Sequence, residues 1–195
     1  MFKKLISILF VISMLWANSC KNDKKENKDS MNASPESIEF KTTNYNKKFG
    51  DCSNPDSLCY ELDIQNLQIK SGPQVVQNSV NKAIDGYLYA TLGSFLSEDS
   101  PALASLDEYA DALIKDYKHV ASEFDDYEQD WNIQVKTELK NNDDNIISIL
   151  TTVDSYLGGA HGNHWNDFLN FDANTGKEIT WENIITDQDK FMKLA

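Results

Sequence analysis

The sequence predicts an α+β domain: an antiparallel sheet with two helices packed on one face, followed by the start of a second small α/β module. Three observations carry this. Apolar residues alternate with polar ones at Tyr60, Leu62 and Ile64 and again at Trp131, Ile133, Val135, Thr137 and Leu139, the period of a half-buried strand. Between those stretches the apolar spacing changes to that of helices. After them, an apolar run Ile146–Leu157 and an aromatic run Trp165–Phe171 are joined by a glycine-rich corner. At 195 residues and 41% hydrophobic content the chain can bury a real core.

The chain opens with an export signal. Lys3 and Lys4 precede the apolar segment Leu5–Trp16, which is too short to span a bilayer, and Ala17, Asn18 and Ser19 lie just before Cys20. Residues 1–19 read as a signal peptide cleaved before Cys20. Small residues ahead of a cysteine are similar to a lipoprotein lipobox, here without its leucine, so two readings of Cys20 stand. One is a diacylglyceryl-modified, palmitate-bearing anchor; the other is an ordinary cleaved signal with a chance cysteine. Two or three acyl chains would hold the protein to the membrane stably. Residues 20–37 then form a lipidated tether, rich in lysine, asparagine and acids. Its start, Lys21-Asn22-Asp23, is similar to surface-export signals of some Bacteroidota lipoproteins. The location expected is the cell envelope, and the outer membrane or cell surface in a Gram-negative cell.

Ile38–Tyr45 reads as the first strand. Cys52 and Cys59 enclose six residues and, outside the cytoplasm, are expected to close a disulfide loop; no histidine lies near to complete a zinc shell. Tyr60–Ile69 is the next strand, with a bulge or end near Asn66, where the apolar phase shifts to Leu67 and Ile69. Pro73 introduces a helix with Val76, Val80, Ile84, Tyr87 and Leu88 on one face. Ser105 and Glu108 form a capping box for a second helix, whose face is Leu106, Tyr109, Leu113, Tyr117, Val120 and Phe124. The acidic stretch Glu123, Asp125, Asp126, Glu128 and Asp130 has neither the glycine nor the spacing of a calcium loop and reads as a solvated turn. After Thr180 come two helical turns, Trp181–Ile185 and one capped by Asp187.

The corner itself is Gly158, Gly159, Ala160, His161 and Gly162. Three glycines in five residues between two strands imply positive φ or a close approach of another segment. This corner, with the following Phe171-Asp172-x-x-Thr175-Gly176-Lys177-Glu178-Ile179-Thr180, resembles a bacterial envelope family. That family occurs as the non-catalytic N-terminal part of certain peptidoglycan deacetylases, as the extracellular lysozyme-sensing part of the anti-sigma-V type of anti-sigma factor, and as free-standing lipoproteins. The resemblance covers nearly all of residues 38–195. It implies a deacetylase-associated N-terminal domain at 38–158 and the front of a second, incomplete module at 159–195. In those deacetylases the catalytic metal site lies in a separate domain that these residues do not include, so the resemblance implies a protein that is not an enzyme and needs no cofactor.

Three classes of chemistry can be weighed on the residues. His161, His164 and Asp167 could hold zinc in a zinc-dependent envelope hydrolase, but they straddle a glycine turn, and on an extended run positions 161 and 164 face opposite ways. A histidine bonding the backbone of the corner is the alternative. Ser155 lacks a nucleophile elbow, and carboxylates are too abundant to single out a pair. Aromatic residues near the corner could serve sugars or protein partners; Phe171 and Trp181 read as core, while Trp165 and Phe168 stay open.

The formal charge of −13 becomes about −15 once the signal peptide, which holds two of the 18 basic residues and no acid, is removed. Nucleic acid is thereby excluded, and a cationic partner would be steered toward the chain. The function expected is a non-catalytic lipid-anchored envelope protein binding a cationic, lysozyme-like wall-active protein or peptidoglycan. Its candidate binding corner is Gly158, Gly159, His161, Gly162 and Trp165. A purely structural lipoprotein is the further alternative.

Overall fold

A computed structural model describes residues 37–193 apart from 55–56, 98–99, 101–102 and 125–126. The signal peptide, Cys20 and all but the last residue of the tether lie outside the described residues, as do Asp125 and Asp126 of the acidic stretch.

Five strands form one sheet: β1 (Glu39–Gly50), β2 (Cys59–Ser71), β3 (Trp131–Asn142), β4 (Ile146–Leu157) and β5 (Asn163–Asp172), in the order β1-β2-β3-β4-β5. Helices α1 (Gln74–Gly93) and α2 (Leu106–Glu123) lie between β2 and β3, and short helices α3 (Trp181–Ile184) and α4 (Gln188–Met192) follow β5. The α+β class holds, with one correction to the pairing. β2 and β3 run parallel, from Tyr60 opposite Trp131 to Gln65 opposite Lys136; the other three pairs are antiparallel. The reason is the inserted helix pair, which carries the chain back to the end of the sheet where β2 began. A short polar turn would have reversed it.

The phase shift expected near Asn66 is present, but β2 runs through it. Asn66 and Leu67 are both buried, so the inward side switches from even to odd positions. Pairing with β3 stops at Gln65, and side chains take over the edge left open. The Thr137 hydroxyl accepts from Leu67 N–H at 2.5 Å and donates to the Gln65 carbonyl at 3.2 Å. Asn81 on α1 accepts from Ile69 N–H at 2.7 Å and donates to the Ile69 carbonyl at 3.0 Å, and Gln77 reaches the carbonyls of Ile69 and Lys70. A strand edge whose donors and acceptors are so occupied does not recruit another strand.

Both helices cover one face of the sheet. Val76, Val80, Ile84 and Leu88 of α1 are buried at the predicted spacing, and Tyr109, Leu113 and Tyr117 of α2 likewise. Ser105 caps α2 by accepting from Glu108 N–H, while the Glu108 carboxylate accepts from Ala104 N–H, one residue earlier than a reciprocal box requires. Phe124 departs from its expected place on the apolar stripe. The helix ends at Glu123, Phe124 is extended (φ −129°), and its ring is 62% exposed. Leu139 is also surface-exposed, beyond the last residue of β3 that has β2 beside it.

The Cys52–Cys59 disulfide is present, with Cα atoms 4.9 Å apart, and closes the β1–β2 turn. By the entropy of so short a loop it contributes about 2.5 kcal/mol. The double variant Cys52→Ser/Cys59→Ser should lower stability by that amount in urea titration; a loss below about 0.5 kcal/mol would show that the turn is already held by its hydrogen bonds.

Candidate binding surface

The glycine corner closes the β4–β5 hairpin, whose ladder runs from Ile146 opposite Asp172 to Ser155 opposite Asn163. Gly158 and Gly159 take φ of 83° and 94°, and a Cβ on Gly162 would stand 2.8 Å from the Ser155 carbonyl oxygen. Both reasons for glycine read from the sequence therefore operate: positive φ alone at Gly159, close approach at Gly162, and both at Gly158. The corner packs on the linker between α2 and β3: Gly159 N–H donates to the Gln129 side chain at 2.5 Å, and the Tyr156 hydroxyl donates to the Gly159 carbonyl at 2.9 Å. A Cβ on Gly158 would lie 2.8 Å from the Tyr127 hydroxyl, which accepts from Trp131 Nε1. Positions 158 and 159 thus lie within the turn of the β4–β5 hairpin.

The structure does not bring the zinc candidates together. His161 is exposed, its Nδ1 3.1 Å from the Gly162 carbonyl oxygen. His164 lies across from Asp154 on β4, with Nδ1 2.6 Å from a carboxylate oxygen. Asp167 points to the helical side, where Tyr87 of α1 donates its hydroxyl to it. Burial and the adjacent Asp167 push the Tyr87 hydroxyl above its ordinary pKa, so it stays a donor. Among the described residues no three histidine, cysteine or acidic side chains are grouped so as to hold a metal.

Trp165 is half-buried against Phe95 and donates to the Tyr87 hydroxyl at 3.3 Å, so it belongs to the helical side. Phe171 is buried as expected, whereas Trp181 is 52% exposed, because the short α3 has no buried residue to draw its ring inward. The Asp172-x-x-Thr175-Gly176 motif is a closed turn. Asp172 accepts from the Thr175 hydroxyl and from the Asn174 and Thr175 N–H groups, and these donors, the Thr175 hydroxyl first, hold its carboxyl below the usual range. Gly176 (φ 68°) lies against α1, where a Cβ would meet Val76 Cα at 2.8 Å.

The surface that sequence reading did not single out is the face of the sheet without helices. Pairing aligns Asn46, Asp63, Gln134, Asp154 and His164 in one row across all five strands, with Asn44, Gln65, Lys136, Thr152 and Asn166 in the next. Neighbouring strands are about 4.8 Å apart, so each row spans roughly 19 Å. Charges on this face are largely matched. Lys48 holds Glu61 at 2.8 Å, and Lys136 and Lys140 hold Glu138 at 3.0 and 3.4 Å; both carboxyls are lowered chiefly by these lysine hydrogen bonds. Alternation alone shows which residues point outward, but only the register shows which of them line up.

A profile described as deacetylase PdaC matches residues 53–164, more than half of the chain. The chain belongs to the deacetylase PdaC family. That match runs from the disulfide loop to His164, so it takes in both helices, β2 to β4, and the glycine corner. Two solved structures share the fold. A DUF3298 family member from Bacteroides fragilis NCTC 9343 aligns with a TM-score of 0.62 at 16% identity, over 80% of this chain and 65% of that one. A DUF3298 family protein from Pseudomonas aeruginosa PAO1 aligns with a TM-score of 0.53 at 16% identity, over 80% of this chain and 62% of that one. The PdaC-family chain thus spans less than two thirds of the length of either. No curated protein matches it in sequence.

Proposed function

We propose that this PdaC-family chain is a non-catalytic, lipid-anchored binding domain of the bacterial cell envelope, and that its ligand is the glycan of peptidoglycan. The observation that carries the reading is the helix-free sheet face, a preformed platform of carboxamide, hydroxyl and matched ionic side chains about 19 Å long. Such a surface offers hydrogen bonds at fixed intervals to an extended polar chain. The dispersal of His161, His164 and Asp167 supports binding over hydrolysis. A lysozyme-like cationic protein is the second reading, favoured by the net charge of −13.

Co-sedimentation of the mature protein with insoluble peptidoglycan separates the two. Retention should persist at about 1 M salt, where the screening length falls to about 3 Å. Salt-labile capture on immobilised lysozyme, with no retention by peptidoglycan, would replace the glycan reading with the protein one; retention by neither would remove both.

The anchor has its own test. Metabolic labelling with a palmitate analogue should mark the wild type and leave Cys20→Ala blank, and equal labelling of the two would overturn lipidation at Cys20.

A further inference from the structure

Among the described residues, the most exposed aromatic ring on the helix-free face is Phe168 on β5, 60% exposed. Its surroundings are specific. Leu150 lies directly across on β4, and Asn166 and Asn170 flank it on the same face of β5, about 7 Å from one to the next but one along the strand. Each asparagine is fixed by the residue opposite it. Thr152 donates its hydroxyl to the Asn166 carboxamide oxygen at 2.7 Å, and Ser148 donates to that of Asn170 at 2.6 Å. With both oxygens engaged, the amide nitrogens are what remains to be offered. Asn166 Nδ2 has one hydrogen directed at His164 Nε2, 3.2 Å away, and one left; Asn170 Nδ2 has no partner among the described residues.

None of these six side chains is charged, and the charges that border them on β3, Glu138 opposite Leu150 and Lys136 opposite Thr152, are paired with each other, Glu138 also with Lys140. A neutral patch in a strongly acidic chain does not select a cationic peptide, and a patch edged by amide donors does not select a purely apolar partner. It fits a neutral ligand with one apolar face and hydrogen-bond acceptors at its rim. We infer that Phe168, Asn166 and Asn170 form a saccharide subsite, in which the C–H face of an N-acetylated pyranose lies on the Phe168 ring and its acetamido carbonyl and a ring hydroxyl accept from the asparagine amides. The acetamido carbonyl is the stronger acceptor, which is why donor-only asparagine edges favour an N-acetylated sugar over a plain one. Thr152 and Ser148 are positioning residues that keep the amides turned outward. The inference rests on the glycan reading above and names the place and the sugar.

The probes are the N-acetylglucosamine trimer and, as a neutral control, the glucose trimer, titrated calorimetrically against the mature protein. The acetylated trimer should bind the tighter of the two. Phe168→Ala should weaken it about tenfold and Asn170→Ala about fivefold, with unchanged circular dichroism. Phe124→Ala, which removes an equally exposed ring at the end of α2, should leave affinity as it was. Wild-type affinity in Phe168→Ala, with peptidoglycan still retained, would overturn this subsite and leave the glycan reading standing. Binding of neither trimer nor peptidoglycan by the wild type would overturn both. Conversion of a dimer to a monomer by Phe168→Ala would instead assign the patch to a second copy of the chain.

Discussion

Tyr117→Ala is expected to destabilise the domain by about 4 kcal/mol, the range for removing a fully buried aromatic ring. Tyr117 is wholly inaccessible and stands where four other rings meet: Trp131 at 5.4 Å, Tyr60 at 6.0 Å, Phe49 at 6.3 Å and Tyr127 at 6.4 Å between centroids. It therefore joins α2 to β1, β2, β3 and the linker that supports the glycine corner. Its hydroxyl donates to the Gln129 carbonyl at 3.3 Å, a long bond, so Tyr117→Phe should lose only about 1 kcal/mol. Urea unfolding followed by near-ultraviolet circular dichroism measures both. A Tyr117→Ala loss under about 2 kcal/mol would mean that the ring cluster collapses around the gap without penalty.

Asn81→Leu should lower stability by about 2 to 3 kcal/mol, although it adds apolar surface at nearly constant volume. The loss comes from Ile69, whose N–H would lose its partner and whose carbonyl would keep only the Gln77 amide, at a strand edge that β3 no longer covers. Asn81→Asp keeps the acceptor for the N–H and loses the donor to the carbonyl, so it should fall between the wild type and Asn81→Leu. Equal stability of Asn81→Leu and the wild type, at an unchanged urea slope, would show that water satisfies that edge.

These two residues differ in how much of their role could be read in advance. Tyr117 sits on the apolar stripe of α2, and its burial follows from spacing. The rings that meet it come from strands distant in sequence, and their convergence has no local signature. Asn81 gave no signal, because an asparagine within a helix reads as solvated until a strand edge is placed beside it. Phe168 lay between these cases, a candidate aromatic whose surroundings the sequence did not show. Outward-facing aromatics are common, and only the pairing of β5 with β4 sets Thr152 and Ser148 against its two neighbouring asparagines. The glycine corner was the opposite case. Gly158 and Gly159 adopt the positive φ expected of them, since that demand is local, and Gly162 makes the close approach.

What the sequence determined by itself is what short-range sterics determine. It set the period-2 strands and 3.6-period helices, the Ser105 cap, the Cys52–Cys59 loop and the turns around Gly158 and Asp172. Each of these depends on side chains within a few residues of one another. The tertiary structure alone decided that β2 and β3 run parallel, that α1 seals the edge of β2 beyond Gln65, and that an uncharged, amide-edged ring stands on the open face. Those outcomes depend on which distant segments share a border, and the free energy that selects the border is spread over the whole core rather than written in any one stretch.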